Sequence, residues 1–207
     1  MHQRTASQDD RLAKAINGDS DSFGNLFEEY RPRLRRMVDV RMDARARARF
    51  DPSDVLQEAF VEAARALPTY AAKQEQMPFF LWLRFITGDR LAKFHRKHLG
   101  TQKRDAKREA RIVPDAAGTS SIYLASQLVG EFTSADHNPK ADETKQQLGD
   151  ALNAMDEKER DVIAMRHYEE LSTEEIAIVL NMTKSGVLKR YARAISKLTH
   201  AMGTTEH

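Results

Sequence analysis

The chain has 207 residues, of which 31% are charged and 41% hydrophobic, and this fits a soluble protein with one large domain or two small helical ones. Cysteine is absent, which excludes disulfides, thiolate metal sites and cysteine nucleophiles, and the net charge of +2 by itself indicates no class of partner. The N-terminus lacks the apolar core of a signal peptide, and the longest apolar run, residues 79–83, is far shorter than the roughly 20 residues of a membrane span. We therefore expect a cytoplasmic protein with no membrane insertion.

Apolar residues recur at helical spacing through the first half of the chain, and no stretch alternates as a strand would. The predicted helices there span about 9–17, 22–38, 51–67 and 78 onward. Asp51 before Pro52 is the clearest helix start, and Ser22 is the expected cap of the second helix. We expect Pro32 to kink or restart the second helix and Pro68 to end the third.

The periodicity weakens over residues 99–139, where breaker residues predict a flexible linker. Apolar positions within this linker indicate that part of it is helical or docks on a partner. Four further helices are predicted at about 142–155, 156–168, 172–180 and 184–202. Ser172 with Glu175 predicts a capping box, and Asn181 suits a left-handed turn, so the last two helices match a helix-turn-helix. The predicted fold class is all-α, with two small helical domains joined by a flexible linker, the C-terminal one a helix-turn-helix.

Charge is segregated along the chain. Basic blocks occupy residues 31–49, 89–111 and 184–197, whereas residues 136–175 contain twelve acids against five bases. Any single block could be a solvated helix face, but three separate basic blocks favour a polyanionic partner.

The last predicted helix has an acid-free polar face that suits duplex DNA. In a helix-turn-helix the second helix lies in the major groove and offers its early residues to base edges. The residues at the start of this helix, where base contacts begin, are Thr183, Lys184, Ser185 and Gly186. Its cationic face continues with Lys189, Arg190, Arg193 and Lys197, of which Arg190 and Arg193 are better placed for phosphates. Because each neutralised phosphate releases counterions, we expect binding that depends steeply on salt.

Two separate stretches resemble a known family. Residues 151–198, whose clearest runs are Glu159-Arg160-Asp161-Val162-Ile163 and Leu171-Ser172-Thr173-Glu174-Glu175-Ile176-Ala177, resemble region four of extracytoplasmic-function sigma factors. Residues 51–60, Asp51-Pro52-Ser53-Asp54-Val55-Leu56-Gln57-Glu58-Ala59-Phe60, resemble region 2.2, and Pro78-Phe79-Phe80-Leu81-Trp82-Leu83 with the basic helix after it resembles regions 2.3 and 2.4. The two matches follow the family's order and cover most of the chain outside the linker and the extreme ends.

The resemblance implies a bacterial RNA polymerase sigma factor, which directs transcription initiation and has no catalytic residues, cofactor or metal of its own. The implied partners are core RNA polymerase, through its beta-prime and beta subunits, promoter DNA and an anti-sigma factor. The implied domains are region two at residues 1–98, a linker at 99–139 and region four at 140–207. Region four reads the minus-35 element, and region two recognises and melts the minus-10 element.

The resemblance also implies site residues in region two. Core polymerase binding falls on one polar face of the third helix, at Asp54, Gln57 and Glu58, for which a solvated surface is the alternative. The loop at residues 69–77 and the fourth helix correspond to the segment that extracts and holds a base of the opened strand. The residues expected to contact minus-10 DNA are Tyr70, Lys73, Gln74, Arg84, Arg90, Lys93, Arg96 and Lys97. Trp82 is expected in the core.

The sequence departs from the family's pattern at its recognition helix. The family commonly has a Gly-Thr-Val run there, whereas this chain has Ser185-Gly186-Val187-Leu188-Lys189-Arg190, so the family's base preference does not transfer. A glycine such as Gly186 inside a helix lowers the helix stability by about 1 kcal/mol relative to alanine. Close approach of the backbone to DNA would explain why a glycine is present there. The linker is also longer than the family's minimum.

Two other classes of protein fit parts of the sequence. A helix-turn-helix regulator with an N-terminal sensor domain would have a similar C-terminal end, but it would not predict the polar face of the third helix or the basic aromatic fourth helix. A helical metal enzyme could use His95 and His98, which are three residues apart. Their Lys and Arg neighbours would repel a cation, which disfavours that alternative.

Overall fold

The computed structural model describes residues 6–72, 74, 77–99, 119–132 and 139–203, and this part of the chain is helical almost throughout and contains no strand. It divides into two compact units, Met1–Ala117 (unit 1) and Gly118–His207 (unit 2). The all-α fold class with two helical bodies is confirmed. Among the described helices, none combines the length and the apolar character that crossing a bilayer requires.

Unit 1 is built around the longest helices of the chain. Its elements are α1 (Ala6–Ile16), α2 (Ser20–Arg41), α3 (Ala44–Arg47), α4 (Pro52–Ala71) and α5 (Phe79–Leu99). Helices α2, α4 and α5 pack on one another, α1 lies against α2 and α4, and α3 lies against α5. Aromatic rings fill the interior: Phe60 lies 5.1 Å from Phe27 and 5.2 Å from Phe23 between ring centroids. The α5 helix therefore has neighbours on several sides.

The start of α2 differs from the sequence prediction. Its N-cap is Asp19, whose carboxylate accepts hydrogen bonds from the backbone N–H groups of Asp21 and Ser22 at 3.1 and 3.3 Å. A hydrogen bond from the Ser22 hydroxyl, together with these two backbone bonds, holds the pKa of Asp19 below its ordinary value. Ser22 lies inside the helix and is not its cap. A carboxylate beside the first turn is favoured because it also faces the positive end of the helix dipole.

Neither proline ends its helix, so the prediction that Pro68 ends the third helix is wrong and α2 does not restart at Pro32. Pro32 lies inside a continuous α2, and Pro68 lies inside α4, which runs on to Ala71. A proline removes one backbone hydrogen bond and strains the preceding turn. Buried apolar side chains flank both positions, including Leu34 after the first proline and Leu67 and Tyr70 around the second. Packing on both sides of the proline keeps the helix intact.

Unit 2 begins earlier than the predicted region-four domain. Its elements are α6 (Ser121–Phe132), α7 (Pro139–Ala154), α8 (Glu157–Ile163) continuing into a π-helical turn (Ala164–Tyr168), α9 (Thr173–Leu180) and α10 (Lys184–Gly203). Helix α6 falls within the predicted linker, residues 99–139, of which 100–118 and 133–138 lie outside the described residues. It packs against α7 and the π-helical turn. The described part of that linker therefore belongs to unit 2.

Two hydrogen bonds fasten α6 to the rest of unit 2. The Thr119 hydroxyl, just before the helix, donates to the carboxylate of Asp161 at 2.7 Å, and both side chains are buried. The hydroxyls of Tyr123 and Tyr168 lie 3.1 Å apart. Leu124 and Ala125 are fully buried. The packing of α6 in unit 2 thus explains why apolar residues occur within the predicted linker.

Candidate nucleic-acid interface

Helices α9 and α10 form the helix-turn-helix that the sequence predicts. The Ser172 hydroxyl accepts a hydrogen bond from the Glu175 N–H at 3.1 Å, and the Glu175 carboxylate accepts one from the Ser172 N–H at 2.8 Å. This is the predicted capping box. Asn181 ends α9 with φ of 49°, in the left-handed region, so the turn that leads to α10 is as predicted.

The start of α10 gives Gly186 a local role. The Gly186 N–H donates to the hydroxyl of Thr183 at 3.1 Å, which caps the helix. A Cβ at position 186 would lie 3.1 Å from Met182 Cε and 3.2 Å from Thr183 Oγ1. These distances are shorter than most Cβ contacts, so the capping turn itself favours glycine. Close approach to DNA is not needed to explain this residue.

The inward face of α10 fixes its orientation on unit 2. Val187 and Ala194 are buried, and the helix packs against α7, α8 and α9. The Tyr191 hydroxyl lies 2.8 Å from Nε2 of His167, with the two rings stacked 5.7 Å apart between centroids. With this face held, the opposite face of α10 is turned to solvent.

The outward face of α10 holds most of the predicted DNA-contact residues. Exposed side chains on it are Thr183, Lys184, Ser185, Lys189 and Arg193. Lys184 pairs with Glu174 at 2.7 Å, and the hydrogen bond it donates holds the pKa of Glu174 below its ordinary value. Lys197 pairs with Glu159 at 2.6 Å. Lys189 and Arg193 have no acidic side chain of a described residue within ion-pair distance.

Arg190 differs from its neighbours on α10. Its side chain is half-buried, and its Nη1 atom is buried without a hydrogen-bond acceptor in the described structure. The sequence pattern placed it with the phosphate-contacting cations. In the structure it presents less of its guanidinium to solvent than Lys189 or Arg193 does.

The predicted polymerase-docking residues lie together on the surface of α4. Asp54, Gln57 and Glu58 are all exposed. Asp54 also accepts a hydrogen bond from the Asp51 N–H at 3.2 Å and so closes a capping box at the start of α4. Val61, one turn further along, is an exposed apolar residue of the same face that sequence reasoning missed. In the sequence, Val61 could be recognised as an apolar residue that does not follow the spacing of the buried stripe of α4.

Tyr70 is not in a loop and not at the surface, which corrects its predicted role. It lies in the last turn of α4, and only 1% of its surface is exposed. Its ring packs 4.6 Å from Trp82 and 5.4 Å from Phe79, and its hydroxyl donates to the Met77 carbonyl at 3.0 Å. Tyr70 therefore belongs to the core of unit 1, where it also contacts the half-buried ring of Trp82.

The other predicted minus-10 residues differ in how far they are exposed. Arg84 is 5% exposed and lies inside unit 1, so it cannot hold a DNA strand at the surface, and that assignment is corrected. Arg90 is partly buried and pairs with Glu62 at 3.6 Å and Asp89 at 3.3 Å, and Lys93 pairs with Asp89 at 2.7 Å. Exposed residues are Gln74, Lys93, Arg96 and Lys97. Lys73 lies outside the described residues.

The two histidines of α5 have structural surroundings. His95 Nε2 accepts a hydrogen bond from the Asp43 N–H at 3.3 Å, and burial lowers the pKa of His95. The His98 ring packs 4.4 Å from the rings of Phe50 and Phe94. No group of three metal-ligating side chains occurs among the residues that the structure describes. The histidine pair is accounted for by packing.

Comparison with known proteins gives matches over one domain and over nearly the whole chain. Residues 145–198 match the family model of sigma-70, region 4. The sigma factor SigD of Mycobacterium tuberculosis, an extracytoplasmic-function RNA polymerase sigma factor, is 27% identical over 90% of this chain and 80% of that protein. The RNA polymerase sigma-H factor of Pseudomonas aeruginosa is 25% identical over 96% of this chain and 95% of that protein.

A solved structure supports the same fold. The structure of CnrH in complex with the cytosolic domain of CnrY matches with a TM-score of 0.56 at 19% identity, covering 95% of this chain and 97% of that chain. The family match falls on the segment that contains the helix-turn-helix, with its capping box and its exposed basic helix. Residues 145–198 thus match sigma-70, region 4, and nearly the whole chain is similar to RNA polymerase sigma factors, several of them of the extracytoplasmic-function type.

Proposed function

We propose that this chain binds core RNA polymerase and directs it to promoters, with unit 2 reading the minus-35 element and unit 1 docking on polymerase and opening the minus-10 region. The observation that carries the proposal is the exposed face of α10, without an acid from Lys184 to Lys197, on a helix-turn-helix inside the matched region-four segment. Such a helix enters the major groove with its first turns.

The charges of α10 support a contact with DNA backbone as well as bases. Lys189 and Arg193 lie on exposed turns of one helix and have no carboxylate partner among the described residues. Cations of this kind are available to phosphates without breaking an ion pair. Each phosphate neutralised contributes about −0.9 to the slope of log affinity against log salt.

The surfaces of unit 1 support its proposed role on polymerase and near the opened strand. The exposed face of α4, with Gln57, Glu58 and Val61, combines polar groups with an exposed apolar residue, as a protein-docking surface does. At the end of α5, Arg96 and Lys97 are exposed cations next to the aromatic body of the unit.

An anti-sigma factor is also among the proposed partners. CnrH, which shares the fold, was solved in complex with the cytosolic domain of CnrY. A protein that covers the docking face of α4 would keep this chain from polymerase.

In-vitro transcription with purified core polymerase on genomic fragments tests the proposal. We expect discrete start sites that require both the chain and core enzyme. The double variant Lys189→Ala with Arg193→Ala should reduce promoter binding and lower the salt slope by about 2. The matched control, Lys158→Ala with Arg166→Ala, removes two exposed cations of unit 2 that lie off α10 and should behave as wild type.

Two results would contradict the proposal. The first is that the chain alone binds DNA tightly and that adding core polymerase does not change which fragments it selects, as expected of a helix-turn-helix regulator. A chain that yields no start site with active core enzyme would not be a promoter-specificity subunit.

A further inference from the structure

Leu188 is the most exposed large apolar side chain in the described structure, with 56% of its surface accessible. It lies on α10, where Val187 and Ala194 are buried against unit 2. Burial of a leucine side chain is favourable, so a leucine left this exposed contributes little to the packing of unit 2.

The neighbours of Leu188 place it within the outward face of α10. Lys184, Ser185 and Ala192, which lie four and three residues before it and four after it and so share its side of the helix, are all exposed. Leu188 is the fifth residue of the helix, one turn beyond Lys184. Side chains on a helix lean toward its N-terminus, so Leu188 leans toward the turn that enters the groove.

The chemistry of the side chain restricts what it can recognise on DNA. Leucine has no donor or acceptor, and the apolar feature that the major groove displays is the C5-methyl group of thymine. Lysine and serine side chains instead meet base edges by hydrogen bonds. An exposed leucine between Ser185 and Lys189 therefore differs in kind from the polar contacts on either side of it.

We propose that Leu188 is a specificity-determining residue that contacts the methyl group of a thymine in the upstream promoter element. The inference rests on the proposed function of α10 as the helix that reads this element. The contact would favour thymine over cytosine at one base pair, because cytosine lacks the methyl group. Burying one methyl-sized group corresponds to about a fourfold change in affinity.

Replacement of thymine by uracil tests the contact, because uracil lacks only the methyl group. Holoenzyme made from the full chain and core polymerase would first select fragments from a pool with a randomised upstream element. In the most enriched fragment, each thymine of that element would then be replaced in turn. We expect one position at which uracil weakens wild-type binding about fourfold, and at which Leu188→Ala binds both fragments equally.

Ile178→Ala is the matched control. Ile178 is also an exposed apolar residue of unit 2, at 43%, but it lies on α9. Its variant should keep the wild-type preference for thymine. Both truncations are at the surface, so each variant should melt at nearly the wild-type temperature, which a thermal melt checks.

The possible failures are distinguishable. Wild-type holoenzyme that tolerates uracil at every position would overturn the contact with the methyl group, as would a Leu188→Ala variant that still prefers thymine. Weaker binding of Leu188→Ala to every fragment, with the thymine preference intact, would assign Leu188 to a contact with protein and also overturn the proposal. If no fragment is enriched, the proposed function itself fails.

Discussion

The basic helices of the two units, α5 and α10, look alike in sequence but differ in how much of their polar surface reaches solvent. On α10 the cations Lys184, Lys189 and Arg193 are exposed. On α5, Arg84 is buried and Arg90 is partly buried in a pair with Glu62. A cation in a helical pattern therefore indicates a DNA-contact residue only when the helix keeps one whole side open.

The placement of the neighbouring helices around each helix explains the difference. Apolar side chains of α5 are buried on several faces, among them Phe80, Leu81 and Leu83, and the helix packs against α2, α3 and α4. Apolar side chains of α10 are buried along one stripe. A helix surrounded by partners must take some polar groups inside, whereas a peripheral helix leaves them in water.

The largest effect on binding is expected on the α4 face, which is the exposed surface of unit 1 proposed to dock on polymerase. Gln57→Arg with Glu58→Arg should weaken binding to core polymerase on the order of 100-fold, because reversed charge in an interface costs several kcal/mol. Asp54 is left intact because it closes the capping box of α4. A fluorescence titration with core enzyme measures the affinity.

The control for that prediction adds the same charge elsewhere. Glu143→Arg with Gln146→Arg changes two exposed residues of α7 by the same three units. Equal loss of affinity in both variants would show a general effect of charge and would contradict the assignment of the α4 face as a docking surface.

Tyr70 sharpens the contrast between buried and exposed groups. Tyr70→Ala should destabilise unit 1 by about 3–5 kcal/mol because it empties a core position, whereas Tyr70→Phe, which loses the bond to Met77, should cost about 1 kcal/mol. Urea unfolding followed by fluorescence measures both, because Trp82 is the single tryptophan of the chain and contacts Tyr70. If Tyr70→Ala leaves stability unchanged but reduces the permanganate reactivity of promoter thymines, Tyr70 contacts DNA as first predicted from the sequence.

A smaller effect is expected where α6 joins unit 2. Thr119→Val removes the hydroxyl that donates to the buried carboxylate of Asp161 and should cost about 1–3 kcal/mol. Thr119→Ser keeps the hydroxyl and is the control. Hydrogen exchange of the α6 amides should quicken in the valine variant alone. Equal protection in wild type and variant would mean that this bond does not hold α6 in place.

Local features of the fold could be predicted because their causes lie within a few residues. The capping box of Ser172 and Glu175, the Asp51-Pro52 start of α4 and the turn at Asn181 depend on neighbouring backbone groups. For the same reason the helix-turn-helix and its basic face were predictable. The continuation of α2 and α4 through their prolines was not, because packing from other helices outweighs the local cost.

The sequence by itself determined the helical class, the order of the helices and the polar face of α10, since periodicity and capping are encoded at short range. Only the tertiary structure decided that Tyr70 and Arg84 lie inside unit 1, that α6 packs on unit 2, and that Leu188 stays exposed. Whether a side chain on a helix meets water or another helix depends on which faces of that helix its partners cover. Those partners come from distant parts of the chain.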